Sequence, residues 1–345
     1  MLLRIIAPIS RFLHSNSRPH FLNFSQETKF SMGSESKSLV QKKKKADFRL
    51  LNVSGFKTDL LEINSHEPTF HVLFIPGNPG VISFYTEFLE SLYELLGGTA
   101  SITGIGHISH SQKNWESRRL FSLEEQINHK MSFIEQELQD VEVPIILVGH
   151  SIGSYISLEI LKRSHKKVIY CIGLYPFLAV NTASSTQSSI RRLVVSPALC
   201  VALSTLGALL GVLPLEVTRF LVKISMGKSW SSSAVEVLCT HVLKYHTLRN
   251  MLFMAMTEFQ TMPEKPDWDF MRSKRRQIAF LFGLDDHWGP MHLYEEIRKQ
   301  VPDARVEVER EGHTHAFSCS GAGSIWVAEH VSSLIMNNIQ LAKSS

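Results

Sequence analysis

Short apolar runs ending in glycine or proline recur along the chain and alternate with segments of helical period. "FHVLFIP" at residues 70–76 runs into the turn cluster "GNPG", and "ASITGIG" follows at 100–106. "VPIILVG" at 143–149 and "KVIYCIGLYP" at 167–176 are continuously apolar, as strands covered on both faces of a parallel sheet are. "RQIAFLFG" at 276–283 and "ARVEVER" at 304–310 complete the predicted strands. Between them, Phe84, Phe88, Leu92, Leu95 and Leu96 recur at helical spacing. "SLEEQINHKMSFIEQELQD" at 122–140 opens with Ser122 and Glu125, a capping box. Further helices are predicted after Ser151, at 291–301 and at 324–340. The alternation breaks over about 177–275. The pattern predicts an α/β fold: one mostly parallel, doubly wound sheet with an inserted helical cap.

The length of 345 residues suits one large α/β domain with an insertion. We expect that domain over 47–345. Residues 1–46 are expected to lie outside the fold. The first 26 contain no Asp or Glu but carry Arg4, Arg11, Arg18 and an apolar stripe, as organelle transit segments do. Initiation at Met32 would remove residues 1–31 altogether. Net charge is +4, and four consecutive lysines lie in "QKKKKADFRL" at 41–50. That run is expected to be a solvated linker. No basic stripe with interleaved aromatics follows it, so no nucleic-acid partner is expected. Cys171, Cys200, Cys239 and Cys319 are scattered, without metal-ligand spacing. A disulfide framework and a structural metal site are therefore not expected.

The candidate chemistry starts at "LVGHSIGS". Gly149-His150-Ser151-Ile152-Gly153 places a serine between small residues at a predicted strand-to-helix junction. A nucleophilic serine needs such a sharp, strained turn, with small flanks for steric reasons. The hydroxyl is a weak nucleophile and requires a base oriented by an acid. These should follow in the order acid, then histidine, in loops after late strands. "GLDDHWGP" offers Asp285 and Asp286, and "EGHTHAFS" offers His313 and His315. An oxyanion hole needs two preorganised backbone N–H groups. One is expected from Ile152, at the start of the helix. The other is expected from "PGNPG" at 76–80, where Asn78 is the candidate because neither proline has an N–H.

"FIPGNPGVISFY", "GHSIGSY", "YPF", "GLDDHW" and "HAF" resemble the lipid droplet-associated hydrolase family of the α/β-hydrolase superfamily. The resemblance covers about 48–340. It implies an acid three residues after Gly283, hence Asp286, and a histidine before Ala-Phe, hence His315. It implies serine hydrolysis of neutral lipid esters, sterol esters among them, with no metal or organic cofactor. The implied location is the surface of the lipid droplet or endoplasmic reticulum. An organelle-targeting reading of residues 1–31 stands beside it. Two other readings compete: a soluble carboxylesterase of small esters, and a droplet surface protein with little catalysis.

Residues 193–215, "LVVSPALCVALSTLGALLGVLPL", carry no charge. Two readings of this stretch stand equal: a cap buried on the catalytic domain, or a hairpin set into a lipid monolayer. In the second, Leu193, Leu199, Leu203, Leu206, Leu209, Leu210 and Leu213 would face lipid. A single span is the least expected, because it would divide one domain across a bilayer. Gly207 and Gly211 form a Gly-x-x-x-Gly pair. His107 and His110 lie in a predicted loop without acidic partners, so they are expected to line the acyl pocket rather than hold a metal. His150 is expected to be structural. Met251, Met254 and Met256 are expected in the cap core.

Overall fold

The predicted apolar runs form six adjacent strands of one eight-stranded sheet. The computed structural model describes residues 44–117, 119–163, 168–226 and 229–344, with side chains through 340. β3 (Phe70–Ile75), β4 (Ala100–Ile105), β5 (Ile145–His150) and β7 (Ile278–Gly283) are buried at every position. β6 (Val168–Leu174) is nearly so, and β8 (Arg305–Glu309) is the half-buried edge. Burial of consecutive residues means that both faces of the sheet are covered, which is why these strands lack alternation. The order is β1-β2-β4-β3-β5-β6-β7-β8, parallel from β4 through β8.

β1 (Asp47–Val53) and β2 (Phe56–Ile63) form an antiparallel hairpin that the apolar pattern does not predict. Ser54 and Gly55 both have positive φ (50° and 91°), the geometry that two-residue hairpins need. β2 mixes buried and half-buried positions instead of being buried throughout, and β1 is largely exposed. The last residues of the lysine run are also not wholly solvated. The Lys45 ammonium pairs with Glu90 at 3.0 Å, and the Ala46 N–H donates to the same carboxylate at 3.1 Å. The transit-like reading of residues 1–31 lies outside the described residues.

Helices α1 (Thr86–Leu95), α2 (Leu123–Glu137), α3 (Ile152–Arg163), α10 (Met291–Gln300) and α11 (Gly321–Ser344) pack on the sheet or on one another. The predicted capping box closes on α2: the Ser122 hydroxyl accepts from the Glu125 N–H, and the Glu125 carboxylate accepts from the Ser122 N–H.

Among the described residues, six α-helices and a π-helical turn (Leu238–Val242) lie between β6 and β7. The α-helices are α4 (Ser185–Val194), α5 (Pro197–Leu210), α6 (Leu215–Met226), α7 (Ser232–Val237), α8 (Tyr245–Thr261) and α9 (Trp268–Ser273). The uncharged stretch is thus broken. α4 and α5 meet at 91°, with the Ser196 hydroxyl capping α5 and Pro197 in its first turn. Among the described residues no single helix is long and apolar enough to cross a membrane.

The sheet register sets the site. Ile75 stands beside Gly149, Gly149 beside Gly173, Leu174 beside Leu281, and Gly283 beside Glu309. The carboxyl ends of five strands therefore align, and their loops meet in one crevice. Phe88 on α1 links this edge to the core. It is fully buried, with its ring 5.5 Å from Phe74 and 5.4 Å from Phe317. Phe88→Ala is expected to cost about 3–5 kcal/mol, read as a lower urea midpoint with unchanged slope.

Candidate active site

β5 ends at His150 and α3 begins at Ile152, so Ser151 makes the whole turn. Its φ is +54°, in the left-handed region that non-glycine residues seldom occupy. The turn is held tightly. The Ser151 N–H donates to the Leu174 carbonyl at 2.9 Å, and the Ser151 carbonyl accepts from Ser154 (2.9 Å) and Phe177 (3.2 Å). Both flanking glycines are sterically required. A Cβ on Gly149 would lie 2.2 Å from the Gly153 carbonyl oxygen, and one on Gly153 would lie 2.3 Å from that of Ile75.

The loop at 76–80 passes beside the serine: a Cβ on Gly77 would come within 3.0 Å of Ser151 Cβ. The loop is fastened at three points. The Gly77 N–H donates to the Tyr85 hydroxyl at 3.2 Å. That hydroxyl lies 2.7 Å from His150 Nδ1. Burial holds His150 well below the usual histidine range, so its neutral ring can accept the phenolic proton. Further along, the Gly80 N–H donates to His110 Nδ1 at 2.8 Å, and the Gly80 carbonyl accepts from the His107 N–H at 2.9 Å. Burial depresses His110 to about 3, which keeps Nδ1 free to accept. His107 and His110 thus brace the loop from behind. The expectation that they line an acyl pocket is corrected, because neither borders the cavities at Ser151. At the third point the Asn78 carboxamide donates to the Met251 carbonyl (3.0 Å) and to Glu258 Oε1 (3.1 Å), both on α8.

His315, in the loop after β8, faces Asp286, in the loop after β7. Nδ1 of His315 lies 2.8 Å from Asp286 Oδ2. The other carboxylate oxygen accepts from the Trp288 N–H at 2.9 Å, which fixes the acid. Both residues are buried, whereas Asp285 is exposed and the His313 ring sits 5.7 Å from Trp326. Ser151, His315 and Asn78 line two small cavities, of about 40 and 10 Å3. The first extends toward Phe84, Tyr85, Ala316 and Cys319. The second extends toward Ile152, Phe177, Glu258 and Trp288. Among the described residues no group of three or more His, Cys, Asp or Glu is placed to hold a metal ion.

A family model for lipid-droplet associated hydrolases matches residues 68–318. The chain belongs to this family. A family protein named lipid droplet-associated hydrolase from Dictyostelium discoideum is 30% identical, over 76% of this chain and 86% of its own. The one from Homo sapiens is 26% identical, over 75% and 83%. Solved structures show that the fold is that of the α/β-hydrolases. An epoxide hydrolase from Vigna radiata aligns with a TM-score of 0.61 at 15% identity, over 85% of this chain and 99% of that one. A soluble variant of monoglyceride lipase from Saccharomyces cerevisiae aligns with a TM-score of 0.58 at 12% identity, over 88% and 99%. The matched family region holds Ser151, Asp286 and His315, and it also holds the cap helices.

The apolar stretch has one docked face and one exposed face. Cys200, Ser204, Gly207 and Leu210 make the buried stripe of α5. Gly211 follows, where a Cβ would lie 2.1 Å from the Leu243 carbonyl oxygen. Small residues therefore face the protein and leucines face outward. Of the residues expected to face lipid, Leu199, Leu206, Leu209 and Leu213 are exposed. Leu193 and Leu203 are half-buried, and Leu210 is buried because it falls on the inward stripe. Exposed Val212 lies in the turn that follows α5, and exposed Val217, Phe220 and Ile224 extend the apolar surface onto α6, beyond the uncharged run. Their i, i+3, i+7 spacing from Val217 was the available signal. Met251 and Met254 are buried, as a cap core requires.

Gly153→Ala is expected to destabilise the protein by at least about 1–3 kcal/mol, since the blocking atom is backbone. The check is chemical denaturation, with Ser154→Ala as the milder control.

Proposed function

We propose that the protein is a serine hydrolase of neutral lipid esters, sterol esters among them, acting at the lipid droplet or endoplasmic reticulum surface. The observation that carries the catalytic part is the meeting of the strained Ser151 turn with the His315–Asp286 pair around shared cavities. Asp286 accepts the Nδ1 proton of His315 and so leaves Nε2 as the free base. Ser151 Oγ attacks the ester carbonyl and passes its proton to His315. The carbonyl oxygen becomes an oxyanion, received by the backbone N–H groups of Ile152 and Asn78. The first N–H groups of a helix lack intrahelical acceptors, which suits Ile152 to this role. His315 returns the proton to the leaving alcohol. Water, activated by the same base, then frees the acid from Ser151.

The surface supports a lipid partner. Val195, Leu199, Leu209, Val212, Phe220 and Ile224 are each more than half exposed, on adjoining cap helices. Contiguous exposed apolar surface of this kind marks interaction sites in soluble folds. A lipid monolayer over oil is the proposed partner. The cavities at Ser151 have room for a few waters, on the order of 10–15 Å3 each, and not for a long-chain ester. Substrate entry therefore requires the cap to shift, and the exposed apolar helices belong to that cap.

A fluorophosphonate probe is expected to label wild type and to leave Ser151→Ala unlabelled. Asp286→Asn is expected to lower kcat on a lipid-ester panel by roughly 10⁴-fold. A folded wild-type protein that the probe does not label would sink the catalytic reading. For the surface, the fourfold variant Leu199→Gln, Leu209→Gln, Val212→Gln, Phe220→Gln is expected to leave the floating droplet fraction by at least about tenfold, each lost apolar contact being worth about 1.5–3 kcal/mol when fully buried. An unchanged melting temperature would show that the fold is kept.

A further inference from the structure

Glu258 is a carboxyl that the proposed catalytic steps do not use, yet it borders the cavity at Ser151. It projects from α8 in the cap and is 2% exposed. We infer that Glu258 is a positioning residue: its carboxyl holds the Asn78 side chain and thereby sets the loop that carries an oxyanion N–H. This inference rests on the assignment of Asn78 to the oxyanion hole.

The geometry is a latch between cap and loop. Asn78 Nδ2 spends its two protons on Glu258 Oε1 and on the Met251 carbonyl. Those acceptors lie seven residues apart, two helical turns along one face of α8. The carboxamide therefore bridges the helix at the point where the loop passes the serine. Loss of the Glu258 arm leaves Asn78 with one anchor, and small displacements of catalytic groups are costly.

The charge state of the latch matters because of what surrounds it. From the neighbouring elements, Asn78, Ser151, Ile152, Phe177, Trp288 and His315 face this cavity. His315 is the titratable group among them, and it is already bound to Asp286. Among the described residues no Lys or Arg lines the cavity. Burial without a cation pushes the Glu258 carboxyl up to about 8, so it is neutral at pH 7. Ionised, it would put a negative charge beside the developing oxyanion. Turnover should therefore fall as pH rises through this titration. The triad alone supplies no such fall, because an imidazole base is already neutral at alkaline pH.

The test compares wild type, Glu258→Gln and Glu258→Ala on one soluble ester from pH 6 to 10, with fluorophosphonate labelling in parallel. Wild-type kcat is expected to drop about tenfold per pH unit above about 8. Glu258→Gln, which keeps the acceptor and cannot ionise, should remove that drop. Glu258→Ala should lower kcat at pH 7 by roughly tenfold to a hundredfold, with KM changed much less, and Glu258→Gln should recover most of the loss. A purely structural role would not move the alkaline limb. An identical limb in wild type and Glu258→Gln overturns the inference, as does unchanged kcat in Glu258→Ala. Wild type that is neither labelled nor active at any pH overturns the hydrolase reading itself, and this inference with it. A thermal melt separates the buried acid from catalysis. The folded state holds its proton from the usual 4.5 up to about 8, so wild type loses stability across that window. The Tm of Glu258→Gln should rise relative to wild type between pH 5 and pH 8, and a constant difference would contradict a neutral buried carboxyl.

Discussion

The Gly153 backbone lies so close to the Ile75 and Pro76 carbonyls that a single methyl group cannot enter. The geometry of the crevice follows from that contact. It lets α3 start directly at the end of β5, which forces Ser151 alone to reverse the chain. It also presses the 76–80 loop against the turn, so that a Cβ on Gly77 would stand only 3.0 Å from Ser151 Cβ. Serine, helix N-terminus and neighbouring loop are thus set by one close approach between β3 and α3. The strain at Ser151 is offset by the hydrogen bond it donates to the Leu174 carbonyl and by those its own carbonyl accepts from Ser154 and Phe177.

The cap obeys the opposite logic. Its apolar helix docks through small side chains and keeps its leucines outside, an arrangement that stabilises the fold little per residue and leaves apolar surface in water. The inward stripe permits close backbone approach, with Gly211 against Leu243. On the proposed reading, in which the substrate is carried in oil, the exposed leucines would gain their stabilisation from the surface they meet rather than from the core. The same cap reaches the serine from behind through α8, by way of Met251 and Glu258. The exposed apolar surface and the 76–80 loop are therefore joined by one set of helices.

Much of the central sheet was legible because strands buried on both faces read as unbroken apolar runs. The order of Ser151, an acid and a histidine was legible because each sits just past a strand end, where glycine and proline mark the loop. Choosing Asp286 and His315 over Asp285 and His313 needed the family resemblance, and the structure brings those two side chains together at 2.8 Å. The β1–β2 hairpin was missed because its exposed edge lacks a strong apolar signal. The orientation of α5 was missed because a helix rich in leucine throughout does not reveal which side is docked. Only the small residues Cys200, Ser204, Gly207 and Gly211, at helical spacing, carried that information. His107 and His110 were misplaced by one layer, since a loop histidine near a site reads the same whether it faces the cavity or braces the wall. Glu258 was invisible: a glutamate within a cap helix looks like surface until the fold buries it.

The central claim is covalent: that Ser151 carries the acyl group between attack and release. Rapid quenching during turnover of a long-chain fatty-acyl ester, followed by peptide mass spectrometry, tests it directly. The expected result is one acyl group per chain on the peptide containing Ser151, appearing before steady-state release of acid. Sustained hydrolysis with an acyl adduct on another residue, or with none when release is slowed, would contradict it.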